Sequence, residues 1–401
     1  MQVAIIGGGA AGFFSSLSVK EHHPDAQVTL YEKSDKLLSK VKVSGGGRCN
    51  VTHHCFKVSE LVKFYPRGEK PLKKVFGVFN PTHTIQWFQE RGVELKTEQD
   101  GRMFPTTDSS QTIIDRLTKE AHSLGIGIKT KSSVTQIKKL EQGFELFFKG
   151  GTTRLVDKII VATGGSPRIE GFKWLQALEH DIEPPVPSLF TFNMPGESIK
   201  ELMGVVAPNA QVRIEGTKLK TEGPLLITHW GMSGPAILKA SAFGARLLSE
   251  RDYTFNTLIN WLNKSELDIR ASVDYAQATI PNKRILNAHP FELSNRLWEF
   301  LMNKAGINET MTWSSLSKKS VNKMVHVLTS DSYAVEGKTT FKEEFVTCGG
   351  ISLTNVNMKT MESKKTPGLY FAGEVLDIDG VTGGFNFQAA WSTGYIAGRL
   401  G

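Results

Sequence analysis

Cysteine is scarce in this chain: three residues in 401, Cys49, Cys55 and Cys348. So few exclude a disulfide framework and fit a reducing compartment, the cytoplasm. Cys49 and Cys55 are separated by five residues rather than the four typical of a disulfide-reductase redox pair, so Cys49 reads as a structural thiol. Long apolar runs are missing as well. None approaches the length of a membrane span, and Met1 leads straight into an apolar run with no room for a signal peptide. No grouping of His, Cys, Asp and Glu has metal-ligand spacing, so no metal is expected, and no serine-hydrolase elbow is present. Internal repeats and low-complexity segments are absent too. Nothing in the sequence specifies an oligomeric state.

What the chain does have is a modest excess of cations, 48 Lys and Arg against 40 Asp and Glu, for a net charge of +8. Cations and acids are interspersed, and only short clusters such as Lys63 to Lys74 and Lys318-Lys319 stand out. A solvated basic surface is the plain reading; an RNA or other anionic partner stays open.

The most informative residues lie at the two ends. Val3-Ala4-Ile5-Ile6 reads as a buried parallel strand, and Gly7-Gly8-Gly9-Ala10-Ala11-Gly12 follows it. In that pattern Gly7 permits the tight turn, Gly9 lets backbone approach a pyrophosphate, and Gly12 lets the next helix pack closely on the sheet. The helix begins near Ala10 and turns its free amides toward phosphate. A second strand, Val28 to Tyr31, ends in Glu32, twenty residues past Gly12. A carboxylate there accepts hydrogen bonds from ribose hydroxyls and repels a 2′-phosphate. Near the other end, Leu369 to Ala372 reads as a buried strand that Gly373 ends, with Glu374 or Asp377 set to meet ribityl or ribose hydroxyls. Thr382-Gly383-Gly384-Phe385-Asn386 then enters a last helix, whose N-terminal amides would stabilise a reduced flavin. Two such motifs at opposite ends predict one FAD site and a chain that brings its ends together. A second dinucleotide fingerprint is absent, so NAD(P)H, if it is the transient electron donor, must reach the flavin without a Rossmann domain of its own.

Between the ends, helices are predicted at Pro81 to Arg91 and Ser110 to Leu124, and an antiparallel excursion at Ser132 to Lys138 and Phe144 to Phe148. Lys158 to Gly165 returns to a buried strand and a turn, Ala162-Thr163-Gly164. The prolines at Glu183 to Pro187 read as a domain boundary. Short β-type runs follow, residues 256–330 look helical, and the dinucleotide texture returns at Thr347.

Several stretches resemble a bacterial FAD flavoprotein family that includes aminoacetone-oxidase-like and bile-acid 3-dehydro-4-reductase-like (BaiN-type) proteins. They are Ser44 to Asn50 (SGGGRCN), Gly101 to Pro105 (GRMFP), Val161 to Gly165 (VATGG), Leu226 to Leu238 (LITHWGMSGPAIL), Cys348 to Ile351 (CGGI) and Lys359 to Gln388. The resemblance implies an α/β protein with a glutathione-reductase-type Rossmann-like domain, residues 1–185 and 346–401. Into it would be set a β-barrel-like insert, 186–255 and 331–345, and a small helical insert, 256–330. By the same analogy Gly7, Gly9, Ala11 and Gly12 lie at the pyrophosphate, Glu32 at the adenosine ribose, and Val134 at the adenine. Lys40 and the loop Ser44, Gly45, Gly46, Gly47, Arg48, Cys49, Asn50 would run along the cofactor. Ala162, Thr163 and Gly164 would cover its middle, and Gly373, Glu374, Gly384, Phe385 and Asn386 its ribityl and ring end. Two departures stand out: Leu38-Ser39 replaces the Gly-Arg usual before the lysine, and the loop Ser166 to Phe172 is short, which points to a different substrate entrance.

For chemistry, His229 in THWGMSGP is a candidate proton donor or acceptor at the flavin, with a turn-bracing histidine as the competing reading. Arg102 is a candidate for binding an anionic substrate or the flavin, against a surface ion pair. Taken together, the residues predict an FAD-dependent oxidoreductase moving hydride at flavin N5. The expected partner is a small organic molecule, either an enone-like acceptor served by NAD(P)H or an amine with oxygen as acceptor. Flavin-dependent RNA modification and a non-catalytic redox sensor are the alternatives.

Overall fold

In the computed structural model, which describes residues 1–340 and 346–401, the two ends of the chain meet on one sheet. The strand Lys158–Val161 lies between Gln2–Ile6 on one side and Leu369–Phe371 on the other, parallel to both. Ile160 faces Ile5 across one pairing and Tyr370 across the other. Gln27–Tyr31 and then Gly127–Lys129 extend the sheet in parallel beyond Gln2–Ile6. The short strands Glu362–Ser363 and Val356–Asn357 finish the other edge antiparallel. Continuous burial of Val3 to Ile6 and of Ile159 to Val161 is what a sheet covered on both faces requires.

Helix Ala10–His22 and the last helix, Phe385–Gly398, cover this sheet side by side, and both are buried over most of their length. Their contact is made by small residues. A Cβ on Gly394 would stand 2.8 Å from the Ala11 carbonyl oxygen, and one on Gly398 would stand 2.5 Å from Ser18 Cβ. The Ser18 hydroxyl donates to the Tyr395 carbonyl at 2.6 Å, so the close approach carries a hydrogen bond. Helices Pro81–Glu90 and Ser110–Ser123 form where their periodicity predicts, capped by Asn80 and Ser109. The antiparallel excursion has three strands, Val134–Lys139, Phe144–Phe148 and Thr153–Val156.

The chain divides into two units, Met1–Ser188 with Lys342–Gly401, and Leu189–Phe341. The prolines at 184 and 185 lie inside a strand, Ile182–Ser188, which pairs antiparallel with Val346–Ile351. They sit where the register shifts between Glu183 and Val186, a place where a strand tolerates residues without an N–H. Residues 341–345, the end of the expected 331–345 return, lie outside the described residues.

The second unit holds a seven-stranded sheet in the order Asp331–Glu336, Thr254–Asn260, Val206–Ile214, Lys220–Thr228, Gly231–Ser233, Thr191–Asn193, Lys338–Thr339. Its two edge strands are consecutive in the chain, joined by Gly337, whose N–H donates to Tyr253 (2.9 Å) and whose carbonyl accepts from Asn193 (3.2 Å). The expectation that 256–330 is helical needs correcting at its start. Thr254–Asn260 is a strand because Phe255, Thr257 and Ile259 alternate inward, a period of two rather than 3.6. The helices that follow, Glu266–Thr279, Asn295–Lys304 and Lys318–Ser330, are each capped by a serine side chain. Strands and helices share one core, with Trp261, Trp298 and Trp313 fully buried in it.

Replacing Gly394 with Val should force the two sheet-covering helices apart. We expect a loss of about 1–3 kcal/mol, the usual cost of overpacking, read as a lower urea midpoint. An unchanged midpoint would show that this contact is not tight.

Candidate functional site

The first unit presents one row of backbone at the ends of its parallel strands, and its glycines divide into two kinds. Some are packed so closely that a side chain cannot fit. A Cβ on Gly7 (φ +117°) would stand 2.3 Å from the Ala162 carbonyl oxygen, and one on Gly12 would stand 1.8 Å from that of Gly7. Others face open space. At Gly9, Gly46, Gly47 and Gly164 an added Cβ would have no neighbour within 4 Å. This contrast distinguishes glycines that let the protein pack on itself from glycines that leave room above the backbone for a ligand.

Polar groups ring the open stretch. The Glu32 carboxylate accepts from Gly8 N–H (2.8 Å), Ser34 N–H (2.8 Å) and the Ser34 hydroxyl (2.9 Å), which fixes its orientation at the end of Gln27–Tyr31. Ser132 N–H donates to the Glu32 carbonyl at 2.8 Å, two residues before Val134. Helix Ala10–His22 starts at Gly9 and Phe385–Gly398 at Gly384. Neither has a side-chain cap or an acid in its first turn. Both starts leave their first amides without a side-chain cap, which suits an anionic or hydrogen-bonding ligand.

The loop Ser44 to Asn50 begins after Leu38, whose N–H donates to the Gly8 carbonyl (2.8 Å). It is not a continuous helix: Ser44, Gly45 and Gly46 leave helical geometry. Its far end is anchored on the last helix. The Asn50 amide oxygen accepts from Gly384 N–H (3.0 Å) and its NH2 donates to the Thr52 carbonyl (3.1 Å). Trp391 Nε1 donates to the Val51 carbonyl (2.9 Å), and the Thr52 hydroxyl donates to Gln388 Oε1 (2.5 Å). Lys40 and Glu374, 334 positions apart, form an ion pair at 2.6 Å. Glu374 also accepts from Thr347 N–H at 2.9 Å.

Thus the structure gathers Gly7, Gly9, Ala11, Gly12, Glu32, Lys40, the Ser44 to Asn50 loop, Ala162, Thr163, Gly164, Gly373, Glu374 and Gly384 into a single unit. Gly373 stands against the first helix, where its Cβ would lie 2.7 Å from that of Ala11. Other side chains turn to internal work. Asn386 closes its own loop, accepting from Gly380 N–H (2.8 Å) and donating to the Gly380 carbonyl (2.9 Å). Phe385 is buried in a cluster with the His53 (4.6 Å) and Phe64 (4.4 Å) rings, so what it can offer a ligand is backbone. Asp377 donates its N–H to the Ile351 carbonyl at 2.9 Å.

Arg48 and Arg102 share Glu98, at 2.6 and 2.9 Å, and both lie over the Phe104 ring. Arg102 also pairs with Asp100 at 2.7 Å. Two acids therefore already engage Arg102, and the ion-pair reading describes its observed state. Cys49 is fully buried, and burial pushes its thiol up to about 12, so it is inert at neutral pH. His229 belongs to the second unit, exposed on the turn between Lys220–Thr228 and Gly231–Ser233, with its ring 4.2 Å from that of Trp230.

Some residues had no sequence signal. Arg67 forms a two-point ion pair with Asp379, which is fully buried and also accepts from the Ser188 hydroxyl at 2.7 Å. This trio holds the segment leading into the Gly380 to Gly384 turn. His53, stacked on Phe385, hydrogen-bonds the Asp100 carbonyl at 3.1 Å, and its pKa is lowered chiefly by burial. The Thr347 hydroxyl is buried beside Gly165 with no hydrogen-bond partner among the described residues.

Room above selected glycines, the oriented Glu32 carboxylate and two uncapped helix starts in one unit fit FAD, and they define a Rossmann-type flavoprotein. The model of the HI0933-like protein Rossmann domain matches residues 1–400, and the chain belongs to that family of FAD-dependent oxidoreductases. Over 406 residues it is 29% identical to a ribosomal RNA dihydrouridine synthase of Escherichia coli, covering 98% of this chain and 96% of that one. It is 26% identical over 413 residues to a 3-dehydro-bile acid delta(4,6)-reductase of Clostridium scindens, covering 99% and 98%. The fold is similar to that of a 3-ketosteroid-delta4-(5alpha)-dehydrogenase from Rhodococcus jostii, with a TM-score of 0.51 at 13% identity over 99% of this chain and 96% of that one. Among the described residues no helix is long and apolar enough to cross a membrane, and no group of side chains could hold a metal ion.

Gly9→Leu should fill the open space over the first turn and abolish FAD retention, measured as the ratio of flavin to protein absorbance; a yellow, stoichiometric variant would refute the cradle. Iodoacetamide at pH 8 should leave Cys49 unmodified in the native protein and label it after unfolding, as mass spectrometry would show. Rapid native labelling would contradict its burial.

Proposed function

We propose that this protein is an FAD-dependent reductase that adds two hydrogens across a carbonyl-conjugated C=C bond in a pyrimidine base of RNA, with NAD(P)H as the reductant. The observation that carries the redox assignment is the open cradle bounded by two uncapped helix starts. The substrate reading rests on two further supports. One relative is named a dihydrouridine synthase and another a delta(4,6)-reductase, and addition of two hydrogens across an activated C=C satisfies both names. The net charge of +8 suits a polyanionic substrate.

Bound FAD would supply the two-electron step, and the protein supplies binding, orientation and electrostatics. We assign Gly9 and the Ala10–His22 helix start to the pyrophosphate, Glu32 to the adenosine ribose and Val134 to the adenine side. The Ser44 to Asn50 loop and Lys40 are assigned to the flank of the cofactor, and Thr163 and Gly164 to its middle. Gly373, the Lys40-paired Glu374, Gly384 and the backbone of Phe385 and Asn386 are assigned to the ribityl and ring end. The uncapped start of Phe385–Gly398 is the group suited to negative charge on a reduced ring. His229, exposed and with no side-chain hydrogen bond among the described residues, is assigned as the proton carrier to substrate.

A second reading, reduction of a small enone, is favoured by the Clostridium scindens relative, whose name specifies a bile acid. Anaerobic stopped-flow mixing with NADH and NADPH should bleach the flavin. Reoxidation should then follow addition of unmodified ribosomal RNA, with dihydrouridine detected by mass spectrometry of the digested RNA. Reoxidation by enones but not by RNA would move the assignment to the second reading, and no bleaching by either nucleotide would overturn NAD(P)H as donor. His229→Ala should leave bleaching unchanged and slow reoxidation by substrate about 10²–10⁴-fold. Equal reoxidation rates would remove His229 from the mechanism.

A further inference from the structure

Two stretches of the second unit contain no acidic residue, 275–291 and 310–330. Together they carry five cations, Lys283, Arg284, Lys318, Lys319 and Lys323. The first stretch lies between Asp274 and Glu292, and the second between Glu309 and Asp331. Asp331 is itself buried and paired with Lys304 at 2.6 Å. Acid-free stretches occur elsewhere in the chain too, among them 36–59, so these two matter only if the fold joins them.

It does. Arg284 and Thr312 form an antiparallel bridge, and Ile285 N–H donates to the Met311 carbonyl at 3.1 Å. Trp313 N–H donates to the Lys283 carbonyl (3.3 Å) and Ser314 N–H to that of Pro281 (2.9 Å). The fully buried Trp313 adds an indole hydrogen bond to the Ala288 carbonyl at 2.8 Å. From that seam the chain enters helix Lys318–Ser330, with Ser317 as its cap and Lys318 and Lys319 in its first turn. All five cations are exposed, and among the described residues none is engaged in an ion pair. Lysines in a first turn oppose the helix dipole and repel one another, so this arrangement does not serve the helix. It suits a partner that brings negative charge.

We propose that this joined basic surface docks RNA. The inference rests on the RNA reading of the function and assigns that reading a place on the chain. Five cations spread along two segments match a run of phosphates better than a single anion, since each contact releases a counterion and the contributions add. Tyr275, at the head of the first stretch, is 65% exposed and offers a ring for base stacking. It is the only large apolar or aromatic side chain of these stretches that is so exposed, whereas a membrane surface calls for an apolar face beside the cations.

The test uses holoprotein and end-labelled ribosomal RNA, with the dissociation constant measured by fluorescence anisotropy over a salt series. The variant Lys318→Glu/Lys319→Glu/Lys323→Glu should bind at least about tenfold more weakly, with a salt slope reduced by about 2, as expected for loss of three phosphate contacts. Lys283→Glu/Arg284→Glu should weaken binding in the same direction, and arginine at the three lysine positions should restore it. FAD content, melting temperature and flavin bleaching by NAD(P)H should match the wild type in every variant. If the wild type binds and reduces RNA and the glutamate variants do so with the same affinity and slope, the docking surface is refuted while the function stands. If the wild type binds no RNA, both fail. Charge-dependent binding to phosphatidylglycerol vesicles without RNA binding would overturn the proposal in favour of a membrane surface.

Discussion

The structure depends on one strand, Lys158–Val161, held in parallel between the first strand of the chain and one of the last. Parallel pairing of distant segments pays no local reward, since each contact closes a long loop. The compensation comes from burial. Ile5, Ile160 and Phe371 are sealed inside, and helices Ala10–His22 and Phe385–Gly398 lie close together over the sheet through Gly394 and Gly398. With that contact made, Gly373 reaches Ala11 and Gly384 reaches Thr52, and the two glycine motifs become neighbours.

The cradle then follows from which backbone is packed and which is left open. Gly7 and Gly12 are consumed by strand, turn and helix packing, whereas Gly9, Gly46, Gly47 and Gly164 keep space above them. Long-range polar contacts hold the open stretch in shape: Lys40 with Glu374, Asn50 with Gly384, and Trp391 with Val51. Asp379 is fully buried against the half-buried Arg67, and removing the partner of a buried charge generally costs about 3–5 kcal/mol because the charge is left uncompensated. It braces the segment before the last turn.

Legibility in the sequence varied with the range of the interaction. The first strand, turn, helix and Glu32 could be read because each position has a local reason. The last helix could be read from its glycine entry and apolar run. Residues 256–260 read as helical, although they lie in strand Thr254–Asn260, because the inward alternation is short and is followed by truly helical periodicity. Phe385 and Asn386 carried a motif-level expectation, yet their side chains belong to an aromatic stack and a loop closure that no spacing reveals. Arg67 and His53 had no signal, since Asp379 and Phe385 lie far away in the chain, and Thr347 had none because only packing buries its hydroxyl. The joined basic surface was visible only as the pair Lys318-Lys319, because Lys283 and Arg284 reach it through backbone bonds to residues 311–314.

By itself the sequence determined the α/β class, the glycine-rich turn after the first strand with Glu32 at the end of the second, and the glycine entry to the last helix. Those properties follow from periodicity, steric need and fixed spacing, which are local. Only the tertiary structure decided which glycines face open space, that Lys40 meets Glu374, that acids occupy Arg102, and that two acid-free stretches form one surface. Those properties depend on which distant groups share a neighbourhood, and packing sets that.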